Sequence, residues 1–284
     1  MRVLDQAGIA YAGAGDDLEH AREAASYIVE REGIRVGIYC CAEYEFTIAD
    51  ANTPGANPFD PLESLDHVKA LKGNCDYVIV LYHGGKEHYR YPSPYLQKIC
   101  RKLIFKGADL VVCQHSHCIG AKEEWQEGKH RGTIIYGQGN FLFDRNESEY
   151  WQTGLLVELS LDEKHMGVEY IPFRKAAETV RLADKEDATG ILSAFEKRSE
   201  ELKDSALLEK KYQEFADSML EDYLSAFAGK KSLPFRICNK LSGYRLIKRS
   251  LERKYGKTER LAIQNYVECE AHRELLLKGL KNNI

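Results

Sequence analysis

The stretch Ala108 to Cys118 reads A-D-L-V-V-C-Q-H-S-H-C. Asp109 through Cys113 form a short apolar run behind Gly107, and a run of that length between polar residues suits a buried strand better than a helix. Two histidines follow at once, His115 and His117. Imidazole is the commonest metal-ligating side chain, and residues two apart in extended backbone point the same way. The spacing therefore predicts that both rings reach one small site. A pair of hydrogen-bonded loop histidines is the competing reading, and neighbouring stretches decide between them.

Upstream, Tyr77 to Leu81 reads Y-V-I-V-L, apolar on both faces as a central parallel strand should be, and His83 follows directly. Between the two strands lies a well-punctuated helix. Ser93 caps it, Pro94 sits in its first turn, Leu96, Ile99, Cys100, Leu103 and Ile104 form its apolar stripe, and Gly107 stops it. Arg35 to Cys41 reads as a strand with Glu43, Tyr44 and Glu45 just beyond its end, and Thr133 to Tyr136 as a strand running into G-Q-G-N-F-L-F-D. Ligands of parallel α/β sheets bind beyond the carboxyl ends of the strands. Here those ends deliver Glu43 and Glu45, His83, His115 and His117, and Asn140 to one rim, with glycines at 84, 85, 137 and 139 allowing close backbone approach.

Further out, Leu4 to Gly15 contains G-I-A-Y-A-G-A-G, a short strand-like piece ending in turns, and Asp16 or Asp17 reads as the cap of a helix from Leu18 to Arg31. Asn52 to Pro61 is a proline-rich surface loop and Leu62 to Leu71 a second helix. Gly154 to Leu161 and Gly167 to Phe173 suggest a hairpin with one wet face. After Lys185 glycine thins out, charge rises, and Leu192, Phe195, Phe215, Met219, Tyr223 and Phe227 recur at helical intervals. The expected organisation is an α/β domain over 1–184 and a helical extension over 185–284 of about three helices, broken near Gly229 to Pro234 and at Gly256. Such apolar stripes are predicted to pack on the α/β domain or on a partner chain.

The 284 residues, 44% hydrophobic with 10% aromatic, suffice for a real core, and the net charge of -4 gives no bulk attraction to nucleic acid. The basic residues between Arg236 and Arg260 are interspersed with acids and read as a solvated helix face. No apolar run approaches the length of a transmembrane segment, and the opening M-R-V-L-D-Q-A-G-I lacks a signal-peptide core. As written, the chain is expected to be cytoplasmic, without nucleic-acid partners. Most of the eight cysteines sit in apolar runs, as reduced cysteine does. Cys113 and Cys118 flank the H-x-H and permit a thiolate site, but they lack a C-x-x-C pair. P-loop and dinucleotide motifs are absent from the sequence.

His, then H-x-H, then Gly-Asn, each at a strand end, suits a metal bound by imidazoles with an amide oxygen nearby. Tyr77 to Asp144 closely resembles the capsule-synthesis CapA family, proteins tied to poly-gamma-glutamate capsule production and related in fold to calcineurin-like metallophosphoesterases. The family's H-x-G-x-E stands as His83, Gly85 and Glu87, and its P-x-P-x-x-Q as Pro92, Pro94 and Gln97. Its G-A-D is Gly107, Ala108 and Asp109; its H-P-H is His115, Ser116 and His117; its G-N-F-x-F-D is Gly139, Asn140, Phe141, Phe143 and Asp144. Where members carry G-H-H-P-H, this chain has Cys113, Gln114 and Ser116 at three of the five positions.

The resemblance implies a calcineurin-like metallophosphatase-type layered α/β sheet and a divalent metal, Mn, Zn or Fe. It makes His83, His115 and His117 metal ligands and places His83, Glu87 and Asn140 in the catalytic set, which Glu45 joins by its position beyond a strand end. The implied activity is metal-dependent hydrolysis in cell-envelope polymer metabolism, with a polymer or phosphoester-type small molecule as substrate. Family members begin with a strand ending in G-D, then N-x-E and N-N-H. This sequence opens beyond those motifs, so the resemblance implies an N-terminally truncated fold with impaired activity, completed by a missing N-terminal half or a partner chain. The alternative is a non-catalytic remnant serving as a binding or scaffold module, and metal content separates the two.

Overall fold

The computed structural model describes residues 1–45, 47–143, 148–229, 240 and 245–281. It divides into two compact units, Met1–Glu209 and Lys210–Ile284. The first unit opens with α1 (Arg2–Gln6), β1 (Ala14–Gly15), α2 (Leu18–Glu23), β2 (Ser26–Arg31), β3 (Ile34–Ala42) and β4 (Gly55–Ala56). It continues with α3 (Ser64–Lys72), β5 (Tyr77–His83), α4 (Pro94–Lys106), β6 (Leu110–Gln114), β7 (Lys122–Glu127) and β8 (His130–Ile135). Then come β9 (Thr153–Leu161), β10 (Met166–Ala176), β11 (Thr179–Leu182) and α5 (Lys185–Glu201).

A six-stranded sheet of order β2-β3-β5-β6-β8-β7 organises this unit. Its four central strands are parallel, and β2 and β7 close the edges antiparallel to their neighbours. The alternation of side chains along each strand decides what covers each face. Val78, Val80 and Tyr82 of β5 and Val111 and Cys113 of β6 pack with Val68 and Leu71 of α3 and Leu96, Cys100 and Leu103 of α4. On the opposite face Ile79, Leu110, Val112 and Ile135 meet Val157, Leu159 and Val168 of a three-stranded antiparallel sheet, β11-β10-β9. Both faces are covered, which is why Y-V-I-V and L-V-V-C carry apolar residues without alternation. Each such side chain removed from water contributes about 1.5–3 kcal/mol. The second cover ends before the carboxyl ends of the strands: Leu81 is 42% exposed, and the sheet face opens there toward His83.

Local signals read from the sequence hold around α4. Ser93 Oγ accepts from the Leu96 amide at 3.2 Å, and Gly107 ends the helix in the left-handed region at φ 117°. Asp17 caps α2 by accepting from the His20 amide at 2.9 Å. The helix expected over Leu18 to Arg31, however, ends at Glu23, and Ser26–Arg31 is an edge strand paired with β3. Tyr27, Ile28 and Val29 favour extended backbone, and Glu32 and Gly33 both take positive φ, 53° and 81°, in the tight hairpin turn that follows. Of the strand-like piece expected within Leu4 to Gly15, only the two residues of β1 are strand, and α1 occupies the start of the stretch. The hairpin β7–β8 extends the strand expected at Thr133 to Tyr136.

Lys185–Glu201, which the sequence assigns to the extension, lies in the first unit and packs on the sheet domain. Phe195 is fully buried with Ile119 and Leu155. Arg198 Nε donates to the Gly120 carbonyl at 2.7 Å, and Ser199 Oγ accepts from the Lys122 amide at 2.9 Å. In the second unit, Leu224, Ile247, Leu251 and Tyr255 form a small core. A helix starts at Lys257 directly after Gly256, as expected, while the break expected near Gly229 to Pro234 falls mostly outside the described residues.

Gly137, just beyond β8, shows what the rim demands of the backbone. Its φ is 145°, and a β-carbon there would lie 2.7 Å from the Cys118 carbonyl oxygen and 2.8 Å from Ser116 Oγ. Gly137→Ala is expected to destabilise the fold by about 2–4 kcal/mol, through strain and contact with fixed backbone. The midpoint of urea unfolding checks this, and an unchanged midpoint would refute it.

Candidate metal centre

Parallel pairing places Ala42 opposite His83 and His83 opposite Gln114, so the ends of β3, β5 and β6 stand in one row. The loops leaving that row are tied together by backbone hydrogen bonds. The Glu43 amide donates to the His83 carbonyl at 2.8 Å, and the Gly84 amide to the Gln114 carbonyl at 3.0 Å. The His88 amide donates to the Ser116 carbonyl at 2.8 Å. This lattice holds His115 and His117 at φ 96° and 56°, a region that residues bearing a β-carbon rarely occupy.

Positive φ at both positions overturns the extended-backbone premise from which the two rings were expected to share one site. His115 turns toward β5, where its Nδ1 stands 3.2 Å from His83 Nε2, and His83 Nε2 is 3.6 Å from Glu45 Oε1. The donor atoms of Glu45, His83 and His115 all lie within 4.8 Å of one another. His117 stands beside this group, its ring centre 6.0 Å from that of His115. Its Nδ1 is 2.8 Å from Asn140 Oδ1.

Asn140 fixes the state of His117. Its Nδ2 reaches two carbonyl oxygens, of His117 at 3.2 Å and Tyr150 at 3.1 Å, and carbonyls only accept. Oδ1 therefore faces His117 Nδ1, which must carry the proton, leaving the lone pair on Nε2. Asn140, expected as a supporting amide, acts here on the histidine and on the loop. Burial, and after it the neighbouring His115, lowers the pKa of His83 below its ordinary value, against the pull of Glu45 and Glu43. A neutral imidazole with an available lone pair is the form that ligates a metal.

Two imidazole nitrogens and one carboxylate oxygen fit a divalent ion. Ligand atoms about 2.0–2.2 Å from a tetrahedral ion stand roughly 3.3–3.6 Å apart, close to the 3.2 and 3.6 Å found around His83. The third pair, Glu45 and His115, lies within 4.8 Å. Three protein ligands leave a coordination position open, as catalytic rather than structural sites do. A cavity of about 370 Å³ shares Glu45 and His83 with an apolar floor of Cys40, Leu81 and Val112.

Glu87, expected among the catalytic residues, lies exposed on the turn after β5, outside the group of three. Glu43 is nearer the row, with Lys86 Nζ 4.0 Å from its Oε2. Cys113 points to the α4 side of the sheet and Cys118 is fully buried, with its thiol pKa raised by burial, so neither joins the site. Asp144 lies outside the described residues. Sequence reasoning missed an aromatic wall. His117 packs against Trp151 at 5.0 Å and Phe143 at 5.4 Å, and His88 stacks on Tyr150 at 5.6 Å with an interplanar angle of 21°. Arg90 covers the Tyr150 ring at 4.6 Å and pairs with Glu149. Some sixty residues separate His88 from Tyr150 and Trp151, and no spacing signal links them.

The model of the family described as "Bacterial capsule synthesis protein PGA_cap" matches residues 1–145, half of the chain. The chain is 28% identical over 151 residues to the capsule biosynthesis protein CapA of Bacillus anthracis, covering 51% of this chain and 35% of that protein. It is 30% identical over 136 residues to the PGA biosynthesis protein CapA of Bacillus subtilis (strain 168), covering 47% and 34%. The match thus spans about a third of the length of these relatives. Among solved structures, the NAD nucleotidase of Haemophilus influenzae aligns with a TM-score of 0.38 at 12% identity, over 66% of this chain and 40% of that one.

Proposed function

The chain belongs to the bacterial capsule synthesis family PGA_cap, and from that premise we propose that it acts in capsule or cell-envelope polymer metabolism as a metal-dependent hydrolase of the metallophosphoesterase type. The observation that carries this reading is the convergence of Glu45, His83 and His115 at the carboxyl ends of three parallel strands, with donor separations suited to one ion. A divalent ion bound there would polarise a phosphoryl or carbonyl oxygen and lower the pKa of a bound water.

The chain's own residues supply the rest. His83, whose pKa is lowered by burial, and His115 offer imidazole nitrogens, and Glu45 offsets the positive charge. His117, with its proton held on Nδ1 by Asn140, presents the Nε2 lone pair to a hydroxyl or water that donates to it, or to a further ion. Lys86, close to Glu43, supplies a cation for an anionic substrate group. The wall of His88, Tyr150, Trp151 and Phe143 limits water on the His117 side. The substrate is read as a polymer or a phosphoester-type small molecule entering over the open cavity beside Glu45.

Since the three gathered donors serve one ion, turnover by this chain is expected to be slow. The test is hydrolysis of a generic aryl phosphodiester with manganese and with zinc, comparing wild type, Glu45→Gln and His115→Ala. Slow metal-dependent turnover lost in both variants supports the proposal. A folded protein that takes up no metal and cleaves nothing refutes it, in favour of a binding or scaffold module.

A further inference from the structure

We propose that the outer side of α4 is a docking groove for an acidic peptide segment of a partner protein, separate from the metal centre. A cavity of about 620 Å³ runs there, lined from Pro94 to Phe105 along the helix. Eleven residues of helical rise make it about 16 Å long, the reach of a short extended segment. Its walls are aromatic and aliphatic, with Phe59 and Leu65 on one side, Trp125 on the other, and Tyr95 64% exposed at one end. Such a lining with few polar groups is the composition of a binding cleft, and exposed aromatics are the common anchors of peptide recognition.

The charge along the groove gives the occupant its chemistry, because it is one-sided. Arg101 is engaged by Glu123 at 3.0 Å and Lys106 by Asp66 at 3.1 Å, both acids of this chain. Lys98 and Lys102, one helical turn apart on the groove wall, have no such ion pair among the described residues, and Lys102 Nζ sits 4.3 Å over the Phe105 ring. Glu127 is the one carboxylate in the lining. An apolar trough edged by two lysines without an ion pair among the described residues complements a segment carrying both carboxylates and an apolar anchor.

The experiment pans a random peptide library against the full chain and measures the enriched peptides by fluorescence anisotropy. Binding to wild type is compared with Lys98→Glu/Lys102→Glu, whose two positions are exposed and outside the core. Enrichment of acidic peptides with an aromatic or leucine anchor is expected, with affinity falling at least about tenfold in the double variant and with rising salt. Enrichment without acidic residues, or equal binding to the variant, overturns the proposal. So does lysine-dependent binding to phosphatidylglycerol vesicles without peptide binding, which assigns the groove to lipid. Self-association of the wild type that the double variant loses also overturns it, making a second copy the occupant.

Discussion

His115→Ala is expected to lower the affinity for zinc or manganese by about a hundredfold or more, because outer partners of metal ligands alone account for about 10–100-fold and His115 is in direct reach of the ion. His83→Ala should do the same, since His83 Nε2 is the donor that faces both His115 and Glu45. Glu45→Gln should weaken binding by loss of the anionic ligand while leaving the fold intact. His117→Ala has a smaller expected effect: its ring lies beside the group of three and is held by Asn140 and Trp151. Titration against a chelating dye gives all four affinities. If His117→Ala abolished binding and Glu45→Gln left it unchanged, the assignment of donors would be wrong.

Removing α5 has the largest expected effect on stability. Phe195 is fully buried between Ile119 and Leu155, its ring 5.0 Å from that of Tyr170, and Phe195→Ala should destabilise by about 3–5 kcal/mol. That is a large part of the roughly 5–15 kcal/mol that holds a domain folded. A fragment of residues 1–184 loses Phe195 together with the Arg198 and Ser199 hydrogen bonds to Gly120 and Lys122, uncovers Ile119 and Leu155, and should aggregate. A fragment of residues 1–209 keeps these contacts and should melt cooperatively. A monomeric, cooperatively melting 1–184 fragment would show that α5 is dispensable.

The parallel core of this protein is legible in the amino-acid sequence. Y-V-I-V and L-V-V-C suit buried strands by their length and apolar content, and the cap, proline and glycine stop of α4 are interactions within a few residues of one another. Together they put the ends of β3, β5, β6 and β8 on one rim, and with them Glu45, His83, His115, His117 and Asn140. How those residues divide depends on contacts between distant loops. Positive φ at His115 and His117 depends on carbonyls being held by Gly84, His88 and Asn140 from other loops, and it sends one ring to Glu45 and His83 and the other to Asn140 and Trp151. Likewise Ser26–Arg31 is a strand because β3 offers it an edge, and Lys185–Glu201 joins the sheet domain because Ile119 and Leu155 need a cover. Local propensity and spacing carry information over a turn or two of chain; these choices are made by contacts between residues far apart in sequence.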